Sequence, residues 1–598
     1  MGRSTGRNKK RSFHGNRYIK ISGSKQPPKS RPRPSDDVTC TSAKKLKLDV
    51  EQQEITDETG CYLLINSTIL EQVFHTIARC PKCCSRVKFS HLLKNKKGFC
   101  YTLEFDCSSC DWKEEFFSSP LSEKVNGSPG KQPFDVNLRM ALAFREIGKG
   151  HKALSTFSTF MNMPPPMTKN NFQKINESLL KAYTTVAEES ILEAGKELHE
   201  TLSVENSAAN EIVDCQVSVD GTWQKRGYSS LNGVVTLLSS STGKCLDFHI
   251  LSKKCKSCEV WMKREDHAKY EEWKVKHRCQ VNHTKSSGSM ESVGAVQMFK
   301  RSVEKHKLQY TTYLGDGDSS AFQEVVKSNP YGSGTVIVKQ ECIGHIQKRV
   351  GSRCRELRRS LKGKKLADGK GVSGKGRLTD KAVNTLQNYY GMAIRQNMGD
   401  LQGTRKAVGA VLYHCSDITD EETRHQFCPT GEKSWCKWQS DKCTGKRQYK
   451  QRINLPSVIK NELFPIFQDL SSESLLSRCL HGLTQNANEA LNHIIWKKCP
   501  KNIFVKRDVL QMAVCSAVIE FNSGKAALCR VAKHLGLEAG TFMLKHALAS
   551  DCDRVANISR KSTEKVNKRR KRLRAIKKGY EDKEKEEEGA DSYAPGSY

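Results

Sequence analysis

The order of the elements between residues 211 and 345 limits the fold more than any other feature of the chain. "DCQVSVDG" alternates Cys215, Val217 and Val219 with Gln216, Ser218 and Asp220, the period of two of a strand with one apolar face. "GVVTLLSS" and "CLDFHIL" flank the turn "STGK" and predict a second and third strand joined as an antiparallel hairpin. A Cys-rich insert, 252–287, comes next, followed by the helical pattern "SMESVGAVQMFKRSVEKHKL". "YTTYLGD" predicts a fourth strand, "SSAFQEVVKS" a short helix and "TVIVKQ" a fifth strand.

Three antiparallel strands, then helix, strand, helix and strand, is the order of an RNase H-like core. In that fold the ends of the first and fourth strands lie side by side. Asp220 ends the first, and "YLGDGDSSAF" offers Asp316 and Asp318 at the end of the fourth. Asp316 is preferred because it follows the strand directly; Asp318 reads as the N-cap of the next helix and is its substitute. An Asp after a strand is by itself more often a turn residue, and only the pairing in this strand order changes that reading. Two such carboxylates, with a third from a helix, make a two-metal site for Mg2+ or Mn2+ of the kind phosphodiester chemistry uses. "NANEALNHIIWKK" supplies the third: Glu489 lies opposite the apolar stripe of Ala487, Leu491, Ile494 and Ile495. The gap from Asp316 to Glu489 then requires a helical insertion, 346–480, with 481–555 completing the core.

The chain has 598 residues, enough for several domains. Its 100 Lys and Arg against 65 Asp and Glu give a net charge of +35. That excess persists along much of the length and self-repels unless a polyanion neutralises it, so nucleic acid is the expected partner. No apolar run approaches the ~18 to 20 residues of a membrane span. The start "MGRSTGRNKK" lacks an apolar region after its charges, so a secretory signal is not expected. Residues 1–58 read as a disordered basic tail in which "RNKKR" and "KKLKL" suit nuclear import. Residues 556–598 read as a second tail, basic and then acidic, and the nucleus is the expected location. Residues 130–205 look helical, a linker or DNA-binding region broken at "MNMPPPM".

An intracellular chain keeps its thiols reduced, so the 24 cysteines point to metal rather than disulfides. Residues 61–120 have zinc-ribbon spacing, with Cys80 and Cys83 in one knuckle and Cys107 and Cys110 in another, four thiolates for Zn2+. Cys84 and Cys100 read as core residues. In the insert, Cys255, Cys258, Cys279 and His283 make a second candidate zinc site. His414, His425, Cys428 and Cys436 make a third, for which the alternative is a loop packed by Trp435 and Trp438.

The segments "VSVDGTWQKRG", "KKCKSC", "SSGSME", "YLGDGDSSAF", "ECIGHIQKRVG", "CPTGEKSWC" and "NANEALNHIIWK" together resemble a Mutator-like transposase of the animal type. The resemblance implies a DDE cut-and-paste enzyme with a helical insertion before its last acid, acting on double-stranded DNA at element ends and target. It also makes Cys342 and His345 the Cys-x2-His element that follows the second Asp. Chemistry at two ends implies a homodimer or larger assembly. Lys225, Arg226, Lys348 and Arg349 are candidates for phosphate contacts. A domesticated DNA-binding protein without transposition and a nuclease with another substrate are the alternatives. The intact set of acids weighs against the first, and the insertion and flanking modules weigh against the second.

Overall fold

The computed structural model describes residues 60–124, 131–206, 211–225, 229–263, 267–317 and 320–562, with 569 and 573. Arg226, Asp318, the N-terminal tail and most of the C-terminal one lie outside the described residues. The fold is mixed α/β. Among the described residues no helix is long and apolar enough to cross a membrane.

The chain enters through helix α1 (Ser67–Ile77), begun by Asn66, whose side chain accepts from the Thr68 and Ile69 amides. An antiparallel sheet follows: β1 (Val87–Lys97), β2 (Cys100–Cys107) and β3 (Lys113–Phe117). Phe74 of α1 packs on Phe89 and Phe105 of this sheet, with ring centroids 5.0 Å apart in both cases. Helices α2 (Asp135–Glu146) and the long α3 (Lys169–Asn206) then lead to the central sheet.

That sheet contains β4 (Val213–Trp223), β5 (Asn232–Ser239) and β6 (Cys245–Ser252), then helix α4 (Ser289–Lys300), β7 (Leu308–Gly315) and β8 (Val338–Glu341). Its spatial order is β6-β5-β4-β7-β8. β4 pairs antiparallel with β5 and parallel with β7, and β8 runs parallel to β7. Every residue of β5 is buried, which is why it reads as an unbroken apolar run rather than an alternation. β8 is shorter and later than "TVIVKQ" predicts, because the chain before Val338 does not pair.

The period of two in β4 turns its apolar residues to one of the two cores that flank the sheet. Val217 and Val219 face a cluster containing Met290, Ala295 and Phe299 of α4 and Leu198 of α3. On the other side, Val234 and Leu238 of β5 pack against Leu491 and Ile495 of α9 (residues 486–498, described below). Two residues past the last β4–β7 pair, Ser218 with Leu314, come Asp220 on one strand and Asp316 on the other.

After β8 the chain turns directly into α5 (Ile343–Ser360), then α6 (Asp380–Gln396), α7 (Leu401–His414) and α8 (Ser457–Leu470), which enclose a separate apolar core. Ile343, Ile346, Val350 and Cys354 of α5 belong to that core, so α5 joins the sheet's end to the helical region. The chain returns through α9 (Asn486–Lys498) and α10 (Arg507–Ser523). Lys498, at the end of α9, sits 2.6 Å from Glu146 of α2 and 3.0 Å from Glu520 of α10, so three elements share one buried charge cluster. Helix α11 (Thr541–Ser562) runs past residue 555, where the sequence suggests that the tail begins.

Candidate active site and metal centres

Asp220 does not end β4 as the sequence suggests: the strand pairs with β5 for three more residues, to Trp223, and α9 holds this stretch from above through hydrogen bonds. Gln485 Nε2 donates to the Val219 carbonyl (2.7 Å), and Asn488 Nδ2 donates to the Ser218 carbonyl (3.2 Å). The Ser218 hydroxyl donates back to Asn488 Oδ1 (2.7 Å). Asn492 Nδ2 donates to Asp220 Oδ2 (2.6 Å), and the Trp496 indole donates to the Thr222 hydroxyl (2.8 Å). Residues 488, 492 and 496 recur at one helical turn, and 218, 220 and 222 lie on one face of β4, so two periodicities meet along one line. Each net bond contributes about 1 kcal/mol, but an amide orphaned here costs about 1–3 kcal/mol, so the register of α9 on β4 is fixed.

That register sets the position of Glu489, which is half exposed one residue beyond Asn488. Asp316 follows β7 and accepts from the Gly317 amide (2.6 Å). His345, in the first turn of α5, stands between these two acids: Nδ1 is 2.9 Å from Asp316 Oδ1 and Nε2 is 3.9 Å from Glu489 Oε1. No local pattern marks a partner for His345; the end of β7 brings Asp316 and helix α9 brings Glu489. Cys342, buried at the start of the same turn, accepts the Gln485 amide at its sulfur (3.3 Å), which ties the beginnings of α5 and α9 together.

Asp220 feels the other two acids. Burial, with the Asp316 and Glu489 charges, pushes Asp220 up to about 7 against the opposing pull of His345 and the Asn492 amide. Burial also raises Asp316, but His345, the Gly317 amide and Arg349 outweigh it and hold that carboxyl below its ordinary range. Arg349 reaches it because residue 317 is Gly: a Cβ there would fall inside the guanidinium group. Gly221 has a comparable reason, since a Cβ would lie 2.6 Å from Glu291 Oε2 on the opposite face of the sheet from Asp220. Lys348 Nζ is 3.7 Å from Glu489 Oε1, whereas Lys225 is exposed beyond the end of β4.

Among the described residues, three groups of Cys and His have their donor atoms within 4.8 Å of one another, and each could hold a metal ion. Cys80, Cys83, Cys107 and Cys110 meet where β1 begins and β2 ends, with Sγ–Sγ distances of 3.5 Å for 80–110 and 3.4 Å for 83–107. Four thiolates at ~2.3 Å from a tetrahedral zinc stand only slightly farther apart. Cys100 is buried as expected, but Cys84 is exposed with φ 58°, at the turn of the knuckle rather than in a core.

In the insert the fourth member is His277, not His283. His277 follows the short helix His267–Lys276, and its Nε2 reaches Cys255 Sγ (3.2 Å), while Cys258 and Cys279 are 3.6 Å apart. Its ring stacks on Trp273, one helical turn back, at 4.1 Å. His283 lies after the chain has rejoined the sheet through the Ser252 carbonyl, and its Nε2 is 2.9 Å from the Ser286 carbonyl. The spacing His-x-Cys at 277–279 carried the signal as well as Cys-x3-His at 279–283 did.

The third group, His414, His425, Cys428 and Cys436, is buried throughout. Nδ1 of His414 and Nδ1 of His425 face each other at 3.1 Å, and Cys428 Sγ is 3.6 Å from the first and 3.7 Å from the second. Glu421 and Tyr449 approach Nε2 of His425, at 3.3 and 3.1 Å, and favour its proton there. That leaves the Nδ1 lone pair aimed at the cluster, the arrangement a metal-bound imidazole needs.

A family model described as Mutator-like transposase matches residues 62–436. The chain belongs to the Mutator-like transposase family. The matched span contains Asp220, Asp316, the Cys342–His345 element and all three Cys/His groups of this family member, and it ends before Glu489. A search of curated proteins finds no match, and a search of solved structures finds none.

Proposed function

We propose that the chain is a DDE-type DNA transposase built on an RNase H-like core, cleaving the ends of a Mutator-like element and joining them to target DNA. The observation that carries this reading is the gathering of Asp220, Asp316 and Glu489 about His345. The strand order β6-β5-β4-β7-β8, with helices on both faces, supports the assignment of the core. The donor set fits divalent cations: burial and the Asp316 and Glu489 charges oppose ionisation of Asp220, a cost that positive charge removes. Bound Mg2+ or Mn2+ would activate the attacking water or 3′-hydroxyl and stabilise the leaving oxygen. Asp220, Asp316 and Glu489 would hold the ions, and α9's hydrogen bonds to β4 would keep Glu489 in register with Asp220. His345 would orient Asp316. Lys348 and Arg349 would meet phosphates, as would Lys225 and Arg226, the latter outside the described residues. Zn2+ in the three Cys/His groups, a nuclear location and a dimer on DNA belong to the same reading.

The test is a cleavage assay on duplex DNA carrying the element's own termini, with and without Mg2+. Metal-dependent nicking at the termini supports the proposal. Specific binding without cutting under any divalent cation would support a domesticated DNA-binding role instead.

The titration of Asp220 gives a further expected result. Between its ordinary value near 3.8 and about 7, the folded metal-free chain keeps a proton that the unfolded chain has lost. This group's contribution to stability is therefore full below the lower value and is lost as pH rises through the upper one. Cations must displace that proton, so Mg2+ should raise the thermal midpoint more at pH 8 than at pH 6. A midpoint shift independent of pH would mean that Asp220 is not a ligand.

A further inference from the structure

Helix α5 begins at the catalytic cluster with His345 and carries six basic side chains against one acid, Glu356. It ends in the segment "LKGKKLADGKGVSGKGR", 361–377. Lys362, Lys364, Lys365, Lys370 and Lys375 are all exposed there, and among the described residues none of the five ammonium groups has an acidic partner. On a chain with this many cations, unpaired lysines are common. The distinguishing feature here is that the segment presenting them is fixed in place.

Lys365 bridges Gly371, the Leu366 amide donates to the Lys370 carbonyl (2.9 Å), and the Gly369 amide donates to the Leu366 carbonyl (2.8 Å). Arg377, 7% exposed, grips both oxygens of Asp368. Val372 and Leu378 are buried in the helical core, and Leu361 and Leu366 pack against it. The loop's only acid is thus consumed by a buried arginine, and its lysines are left pointing outward. A solubilising surface needs neither this anchoring nor this separation of sign. A surface that meets an array of fixed negative charges uses both.

We propose that this lysine loop is a phosphate-binding platform for the flank of the DNA duplex whose cleavage point lies at Asp220, Asp316 and Glu489. The inference rests on the transposase reading and adds to it a second contact region. Along α5 at ~1.5 Å per residue, His345 and Lys362 stand about 25 Å apart. At ~3.4 Å per base step that is about seven base pairs, so one straight duplex touches both ends of the helix.

The test uses the full-length protein with Lys362, Lys364, Lys365, Lys370 and Lys375 all changed to Gln, beside a matched version changed to Arg. Lys365 and Lys370 hold the loop through backbone atoms alone, which every substitution keeps, and the Arg version controls for any other loss. Duplex affinity is measured against salt concentration, and backbone protection is mapped on DNA carrying a terminus. The slope of log affinity against log salt should fall by about 0.9 for each phosphate no longer neutralised, hence by roughly 3 to 4.5 if most of the five lysines engage. Protection about seven base pairs from the cleavage point should vanish while protection at the cleavage point remains. The Arg version should keep both. An unchanged slope and footprint in the Gln version, with the unaltered protein binding DNA normally, would overturn the platform and leave the transposase reading standing. A loss confined to single-stranded RNA probes would also overturn it. An unaltered protein with no salt-dependent DNA affinity would sink both.

Discussion

Asp220→Asn is expected to abolish cleavage at element ends, by roughly a thousandfold or more, while end binding stays within a few-fold of the unaltered protein. A metal-holding carboxylate supports several kcal/mol of charge stabilisation in the transition state, and each 1.36 kcal/mol is a tenfold change in rate. Asn is the informative replacement because it keeps the shape of the side chain and an oxygen to accept from Asn492 Nδ2. The substitution also removes a carboxylate whose ionisation burial opposes, so the metal-free variant should be no less stable, and at pH 8 more stable, than the parent. Loss of activity with a retained or raised thermal midpoint separates a chemical role from a structural one. Glu489→Gln should behave alike in cleavage, since Glu489 is half exposed and its α9 neighbours carry the docking bonds. Continued Mg2+-dependent cutting by the Asp220→Asn protein would end the three-acid mechanism.

How much of this site is legible in the sequence depends on the range of the interaction. Asp220 and Asp316 are visible because each closes a stretch with local strand signals, a period of two or a β-rich run, although β4 itself runs on to Trp223. Their juxtaposition follows from strand order alone. The Cys pairs at 80–83 and 107–110 are visible because a metal knuckle is a short-range pattern. The docking of α9 is not visible. Asn488 and Asn492 read as polar residues on an ordinary helix face, yet both are buried, and their partners lie about as far away in the chain as the sheet allows: Asn488 bonds Ser218 at a separation of 270 residues. No local periodicity marks a buried amide whose partner is a distant strand. The apolar stripe expected on α9 is accordingly only half right: Leu491 and Ile495 are fully buried, while Ala487 and Ile494 are partly so. The reading of His283 as the fourth ligand fails for a similar reason: the spacing around His277 suits a zinc site equally, and only the path of the chain back to β6 separates the two.

The buried group at 414–436 supports the second large effect. Its four side chains lie inside the core that α5, α6, α7 and α8 share, with the His414 ring 4.7 Å from Tyr389 and 5.0 Å from Trp435. Two thiols and two imidazoles so placed are poor substitutes for hydrocarbon: without an ion, their donor atoms face one another instead of hydrogen-bond partners. Structural zinc contributes about 10–16 kcal/mol of apparent binding energy in small domains, comparable to the ~5–15 kcal/mol that keeps a whole domain folded. Removing it should therefore unfold the helical insertion rather than loosen it. Metal analysis of the full-length protein is expected to give one zinc per Cys/His group, three per chain. Cys436→Ser should lose one of them and expose the segment between α6 and α8 to protease. The effect should travel to the chemistry, because Ile343, Ile346 and Val350 anchor α5 in that same core and α5 carries His345 to Asp316. Cleavage should fall with the zinc even though the site is not part of the proposed cluster of acids. A Cys436→Ser protein with full zinc content, an unchanged thermal midpoint and an intact insertion would show that the four residues are a packed loop and no metal centre at all.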